Sequence, residues 1–330
     1  MALREFLDGL PSQFDKTVQG RVLLLDGDFL AYQAAATVKT LPTALRRFHT
    51  LIETERFLTG AAEVRVHLTA RGCTKCNRYL YPTAIKYQDN RKSKPKPPLL
   101  EPLRMATQNY EWPEHIRVFL WRDMEADDAL ITDAYYYKEN SVMSSGDKDL
   151  CLTPYPLWLN SQGKLDVIED RFGWIDIKPM SNGNKVFGHG TKFFWAQMIM
   201  GDTADNVRGL LTLNGKGCGP VAAHTFINGW DDEQKCAEAV LWAYARIQQN
   251  PLAEAECLWL HRSPMDSAYA YFKELNLNPD LDKWIDSLHD YNQQYLQYQF
   301  QMRDETNGTF TAQDDAGSQE TGNDDSPPWD

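Results

Sequence analysis

Nine carboxylates fall in four short clusters of this sequence, at spacings that suit divalent-cation chemistry on a phosphate ester. Asp26 follows the run VLLL, with Asp28 two residues on. Glu125-Ala126-Asp127-Asp128 comes after IRVFL, Asp147-Lys148-Asp149 after VMSS, and Asp202 and Asp205 stand in GDTADN after KFFWAQMIM. Glu125 and Asp128 would share one face of a helix starting there, with Asp127 to one side, while Asp147 and Asp149 point the same way in an extended segment. Acids this dense repel one another unless cations neutralise them. Magnesium suits them, being a hard ion that takes carboxylate oxygens and keeps several waters; manganese is the expected substitute. Two such ions about 4 Å apart can activate a water and stabilise the leaving oxygen of a phosphodiester.

Each cluster also has a plain structural explanation. Acids at helix N-termini favour the helix dipole, which covers Glu125, Asp127 and Asp128. An Asp after a strand is common turn chemistry, which covers Asp26, Asp28, Asp147 and Asp149. The weight lies in finding all four at element ends of one α/β pattern. Short apolar runs at Val22–Leu25, Val64–Leu68, Ile116–Leu120 and Val142–Met143 read as buried parallel strands. Helical stretches at Thr43–Leu58, Leu99–Tyr110 and Glu125–Tyr137 alternate with them. The expectation is an α/β fold, an open and mainly parallel sheet with flanking helices and ligands at the strands' carboxyl ends. We expect this core over residues 1–190, a helical module over 191–303, and a polar, disordered tail over 304–330. The stripe Tyr291, Tyr295, Tyr298 reads as core packing.

Residues 71–98 interrupt the pattern with eight Lys or Arg and four prolines. Downstream, Gly215, Gly217 and Gly219 permit tight turns and close backbone approach, and Pro220 suits the first position of a helix. A helix N-terminus with nothing bulky before it is a phosphate-binding surface. The net charge of −12 argues against a nucleic-acid substrate until its distribution is seen: the tail from Asp304 carries eight acids and no Lys or Arg, leaving −4 for the body. The six cysteines, without a secretory signal, read as reduced thiols in a cytoplasmic protein, and no apolar run suits a membrane. The pair Cys73 and Cys76 lacks the two further ligands of a tetrahedral zinc site.

In order along the chain, LLLDGD (23–28), YQDNR (87–91), MEADDAL (124–130), SSGDKDL (144–150), MGDTADNVRGL (200–210) and GKGCGPVAA (215–223) resemble the flap endonuclease and 5′–3′ exonuclease superfamily, especially its phage members. The resemblance implies a PIN-like nuclease core followed by a helix–hairpin–helix-type module that grips duplex phosphates. It implies two metal ions, one held by Asp26, Glu125 and Asp127 and the other by Asp147, Asp149, Asp202 and Asp205, with Asp128 supporting. The basic insertion would be a helical arch over a single-stranded 5′ end. Arg91, Lys86, Lys92 and Tyr87 would face the scissile phosphate, and Lys94, Lys96, Gly215, Lys216, Gly217, Gly219 and Val221 would contact DNA. Implied substrates are DNA 5′ ends, flaps and nicks during phage replication in the host cytoplasm, extending to RNA primers in RNA–DNA hybrids. The acidic tail, ending DDSPPWD, suggests a contact with a replication protein.

Two departures stand out. Family members carry a further ligand Asp just after the second strand, where this chain reads HLTARGCTKCNRYLYP with no acid; either Asp89 or Asp28 compensates, or the first metal is held by fewer ligands. The family's Tyr-Lys pair is Tyr87-Gln88 here, leaving Lys86 or Lys92 to supply the charge. Two other readings compete. A DNA-binding relative with a decayed metal site would bind junctions without cutting. A haloacid-dehalogenase-type phosphatase would use Asp26 as nucleophile, but leaves the EADD cluster and the glycine hairpin unexplained.

Overall fold

A computed structural model describes residues 17–91, 96–146, 148–159, 163–181 and 183–307. Strand β1 (Val18–Asp26) is central because its apolar run is buried on both faces. Leu23 and Leu25 face one hydrophobic cluster, whereas Val22 and Leu24 face another, as the two-residue period of a strand requires. The first cluster is closed by α1 (Gly27–Ala35), α2 (Leu41–Thr59) and α3 (Leu100–Ala106), through Leu30, Ala34, Phe48, Ile52 and Leu103. The second is closed by α4 (Ala126–Tyr137), through Leu130, Ile131 and Ala134. The remaining strands are β2 (Ala61–Thr69), β3 (Ile116–Trp121), β4 (Ser141–Ser144), β5 (Leu157–Leu159) and β6 (Lys164–Asp166). They form one six-stranded sheet in the order β3-β2-β1-β4-β5-β6. All pairs are parallel except β5 with the edge strand β6. Five strands therefore end on one side of the sheet, with Asp26 opposite His67 and Leu25 opposite Ser144.

The fold is of the expected α/β class. Strands β7 (Trp174–Met180) and β8 (Gly183–His189) form a separate antiparallel hairpin that periodicity does not reveal, because only Ile175 of β7 is fully buried. Beyond it lie α5 (Thr191–Met200), a small hairpin of β9 (Thr212–Leu213) and β10 (Lys216–Gly217), and α6 (Pro220–Ile227). Helices α7 (Glu233–Arg246), α8 (Pro251–Leu258), α9 (Ala268–Glu274) and α10 (Pro279–Asn307) follow. Helix α5 is buried nearly all round and central: Phe193, Phe194, Trp195, Met198 and Ile199 are fully buried in a cluster built from α5 to α10 and the β7–β8 hairpin. In the tyrosine stripe of α10, Tyr291 and Tyr298 are exposed, so core packing does not account for them. Residues 308–330, and with them most of the acidic tail, lie outside the described residues.

Helix α9 is capped in trans. Ser267 accepts the Ala270 amide, while the buried carboxyl of Glu256 accepts the amides of Ala268 and Tyr269, each at 3.1 Å. Burial pushes Glu256 up from 4.5 to about 7. A carboxyl raised on folding stabilises the fold fully below its unfolded value, and that contribution is lost as pH rises through the folded value. Between pH 4.5 and about 7 the stability of the wild type should therefore fall relative to Glu256→Gln. Denaturation midpoints of the two proteins across this range check it, and parallel curves would refute it.

Candidate active site

The acids gather where the strands end, and the elements explain how. Asp26 closes β1 and caps α1, accepting the Phe29 amide at 3.0 Å, with the Ser145 hydroxyl on its other oxygen at 2.9 Å. Glu125 is the N-cap of α4 and exchanges a capping box with Asp128. Asp127 is half-buried beside them. The loop after α5 is closed by Gly201 and Gly209, both with left-handed φ. A Cβ on Gly201 would lie 2.4 Å from the Val207 carbonyl oxygen, and one on Gly209 2.4 Å from the Gly201 amide. Paired bonds between Asp202 and Val207, both 2.8 Å, complete this tight turn. It aims Asp202 and Asp205 at Asp149, so that one carboxylate oxygen from each lies within 4.8 Å of the others.

The buried Tyr87 and the half-buried Gln88 bridge this trio to Glu125. The Tyr87 hydroxyl reaches Glu125 at 2.8 Å and Asp205 at 3.3 Å. The Gln88 amide reaches the same two carboxylates at 3.2 and 2.8 Å. Burial, with Glu125 and Asp205 beside it, raises the Tyr87 pKa well above the ordinary phenol value, so the hydroxyl stays a donor. Asp128 is fully buried and faces the buried guanidinium of Arg78 at 2.6 and 2.7 Å. Burial works against ionisation of both Glu125 and Asp128; Lys75 and Arg78 outweigh it at Glu125, and Arg78 does so at Asp128, holding both below the usual carboxylate range.

The two acid groups differ as cation sites. Asp149, Asp202 and Asp205 form an all-oxygen set fitting a hard divalent ion. Beside them Gln197, almost fully buried, donates to Asp149 at 2.5 Å while its Oε1 finds no partner among the described residues. Glu125 and Asp128 fit an ion poorly, because side-chain cations already sit on them. Cys76, Asp128 and His261 also converge, but the arginine holds Asp128 and burial pushes the Cys76 thiol up to about 12, so it stays protonated.

Asp147, Lys92 and Lys94 lie outside the described residues, as does the side chain of Arg91. Lys86 and Lys96 are exposed, and the Lys86 carbonyl accepts from Asn206 at 2.7 Å. Among its described residues, the 71–98 insertion holds two 3-10 turns and no α-helix before α3; its prolines and the left-handed Lys75, Cys76, Asn77 and Gln88 preclude one. Asp28 pairs with Arg104 at 2.8 Å and accepts the Thr69 amide, so it serves the α1–α3 junction. Sequence spacing gave none of Arg78, Lys75, Gln88 and Gln197 a carboxylate partner, since the acids they contact lie between 37 and 117 residues away. Around the glycine hairpin, Gly215 (φ +75°), Lys216 and Gly217 are exposed, nothing stands within 4 Å of a Cβ built on any of the three glycines, and Val221 is exposed in the first turn of α6.

No family model and no curated protein matches the chain. Among solved structures it is similar to those of a bacteriophage T5 nuclease. A T5 protein co-crystallized with metal ions aligns at TM-score 0.47 and 16% identity, over 82% of this chain and 98% of the other. The T5 5′-exonuclease with bound zinc aligns at TM-score 0.46 and 16% identity, over 82% and 98%. A T5 flap endonuclease in complex with DNA and metal ions aligns at TM-score 0.43 and 14% identity, over 80% and 99%.

Proposed function

We propose that this chain is a metal-dependent 5′-nuclease that hydrolyses phosphodiester bonds at DNA 5′ ends or flaps. The observation that carries the reading is the convergence of Asp149, Asp202 and Asp205, from two distant loops, on one point beyond the strand ends. A divalent ion bound there, magnesium by the hardness of the ligands, supplies a more acidic water and charge stabilisation at the phosphate. Tyr87 and Gln88 hold Asp205 and Glu125 in place, and Asp26 and Asp127 add acids at the end of β1 and the start of α4. The exposed hairpin at Gly215–Gly219 and the α6 N-terminus, with Lys216, receive the phosphates of the duplex. Lys86, Arg91, Lys92, Lys94 and Lys96 supply positive charge along the single strand; RNA–DNA hybrids present the same phosphates.

The test is one assay: 5′-flap, nicked, blunt and hybrid substrates with Mg²⁺, Mn²⁺ or EDTA. Cleavage from the 5′ end that EDTA abolishes is expected; cation-independent or 3′-directed cutting would refute the reading. A second reading, a junction-binding protein without cleavage, is favoured by the side-chain cations on Glu125 and Asp128, and cation-dependent cutting excludes it.

Val221→Glu separates fold from binding. An acid in the first turn of α6 favours the helix dipole, so the melting temperature should hold or rise. The same charge faces the phosphates, and DNA affinity at low salt should fall on the order of tenfold. Unchanged affinity would remove the hairpin from the interface.

A further inference from the structure

The segment after β2 lacks the expected acid, but it delivers two cations to the acids of α4. Its position is set by the residues that lead into Glu125. The amides of Thr74 and Cys76 donate to the carbonyls of Arg122 and Asp123 at 2.9 and 2.8 Å. The Thr74 hydroxyl reaches the Asp123 carbonyl at 3.0 Å, and the Cys73 thiol reaches that of Met124 at 3.1 Å. The loop and the start of α4 are thus one unit, and Lys75 and Arg78 project from it onto Glu125 and Asp128.

Every oxygen of those two acids is occupied. Glu125 Oε1 accepts from Lys75 Nζ at 2.8 Å and from Gln88 at 3.2 Å. Its Oε2 accepts from Tyr87 at 2.8 Å and from Arg78 at 3.3 Å. Asp128 Oδ1 accepts from Arg78 at 2.6 Å and from the His261 amide at 3.0 Å, and Oδ2 from Arg78 at 2.7 Å and the Glu125 amide at 3.3 Å. A carboxylate oxygen offers two lone pairs, so none is left for a metal. The charges also balance: one ammonium and one guanidinium offset two carboxylates, as one divalent ion would. Arg78 cannot leave readily, being 2% exposed with its guanidinium also held by the carbonyls of Glu256 and Trp259.

We propose that Lys75 and Arg78 stand in place of a divalent ion at Glu125 and Asp128, and that the chain binds a single ion, at Asp149, Asp202 and Asp205. This rests on the metal-dependent reading above. It gives the absent acid after β2 and the Gln88 position a common reason: with no ion to hold there, the loop supplies cations, and an uncharged Gln88 accepts from Lys75 and donates to Glu125.

The test counts ions, independently of activity, by Mn²⁺ titration calorimetry and spin-resonance of the full chain at physiological ionic strength. One ion is expected for the wild type and for Glu125→Gln, and none for Asp202→Asn. Lys75→Asp should gain a second ion, since it replaces the cation by a carboxylate beside Glu125; Asp tolerates the left-handed conformation of that position (φ 51°). Two ions in the wild type, one of them lost in Glu125→Gln, would overturn the inference and leave the nuclease reading standing. A count that stays at one in Lys75→Asp would overturn the role of Lys75. A wild type that binds no ion would overturn both.

Discussion

Asp202→Asn should lower 5′ cleavage on the order of 10²–10³-fold while DNA binding holds or tightens slightly. Asp202 is 3% exposed and its Oδ1 accepts the Ala204 amide at 2.8 Å, a bond that an asparagine oxygen can keep. The turn between Gly201 and Gly209 therefore survives the change. What is lost is one negative charge and one anionic oxygen at the point where Asp149, Asp202 and Asp205 meet. An amide oxygen is a weaker ligand for a hard cation, so the loss falls on the reacting phosphate rather than on the distant hairpin. Cleavage and equilibrium binding measured on one flap substrate separate these effects. Cutting at the wild-type rate would displace the catalytic centre from this trio, and lost binding with a lowered melting temperature would make Asp202 a folding residue.

Arg78→Met should destabilise the fold by about 3–5 kcal/mol, the cost of leaving a buried carboxylate without its partner. Arg78 joins three parts of the chain: Asp128 and Glu125 at the start of α4, its own loop after β2, and the carbonyls of Glu256 and Trp259 around the end of α8. Its removal exposes Asp128 to the full penalty of burial, since only backbone amides and the Cys76 thiol would remain on it. Arg78→Met combined with Asp128→Asn should cost less than Arg78→Met alone, because no unpaired charge is left inside. Denaturant midpoints of the single and double variants decide the matter. Equal losses would mean that Arg78 acts by packing its stem and not through the ion pair.

The charge balance around Arg78 also bears on the site. The structural and chemical explanations of each acid are not alternatives here. Asp26 caps α1 at the end of β1, and Glu125 caps α4 while Tyr87 and Gln88 bridge it to Asp205 of the converging trio. Asp128 is the exception: its carboxylate is spent on Arg78, on the His261 amide and on the capping box. It ties the α/β core to the helical part.

Local order was readable along the chain. The run VLLL predicts a strand buried on both faces, and Leu23 and Leu24 do go to opposite clusters. The helical stretches after it, and Asp26, Glu125 and Asp202 at element ends, also follow from period and composition. These properties depend on near neighbours, and near neighbours are what a sequence displays. The hairpin β7–β8 escaped because its residues are mostly exposed and its apolar alternation is confined to Ile175 and Ile177. The division of the acids was decided by tertiary structure alone. Lys75 and Arg78 looked like two of eight basic residues in an irregular insertion, and Gln88 like a gap in a motif. Their meaning comes from contacts with Glu125, Asp128 and the carbonyls beyond residue 250, which sequence spacing does not encode. Charge neutralisation acts through space over a few ångströms. The sequence therefore determined that carboxylates stand at the ends of strands and helices, and only the folded chain determined that Lys75 and Arg78 sit on two of them, Glu125 and Asp128.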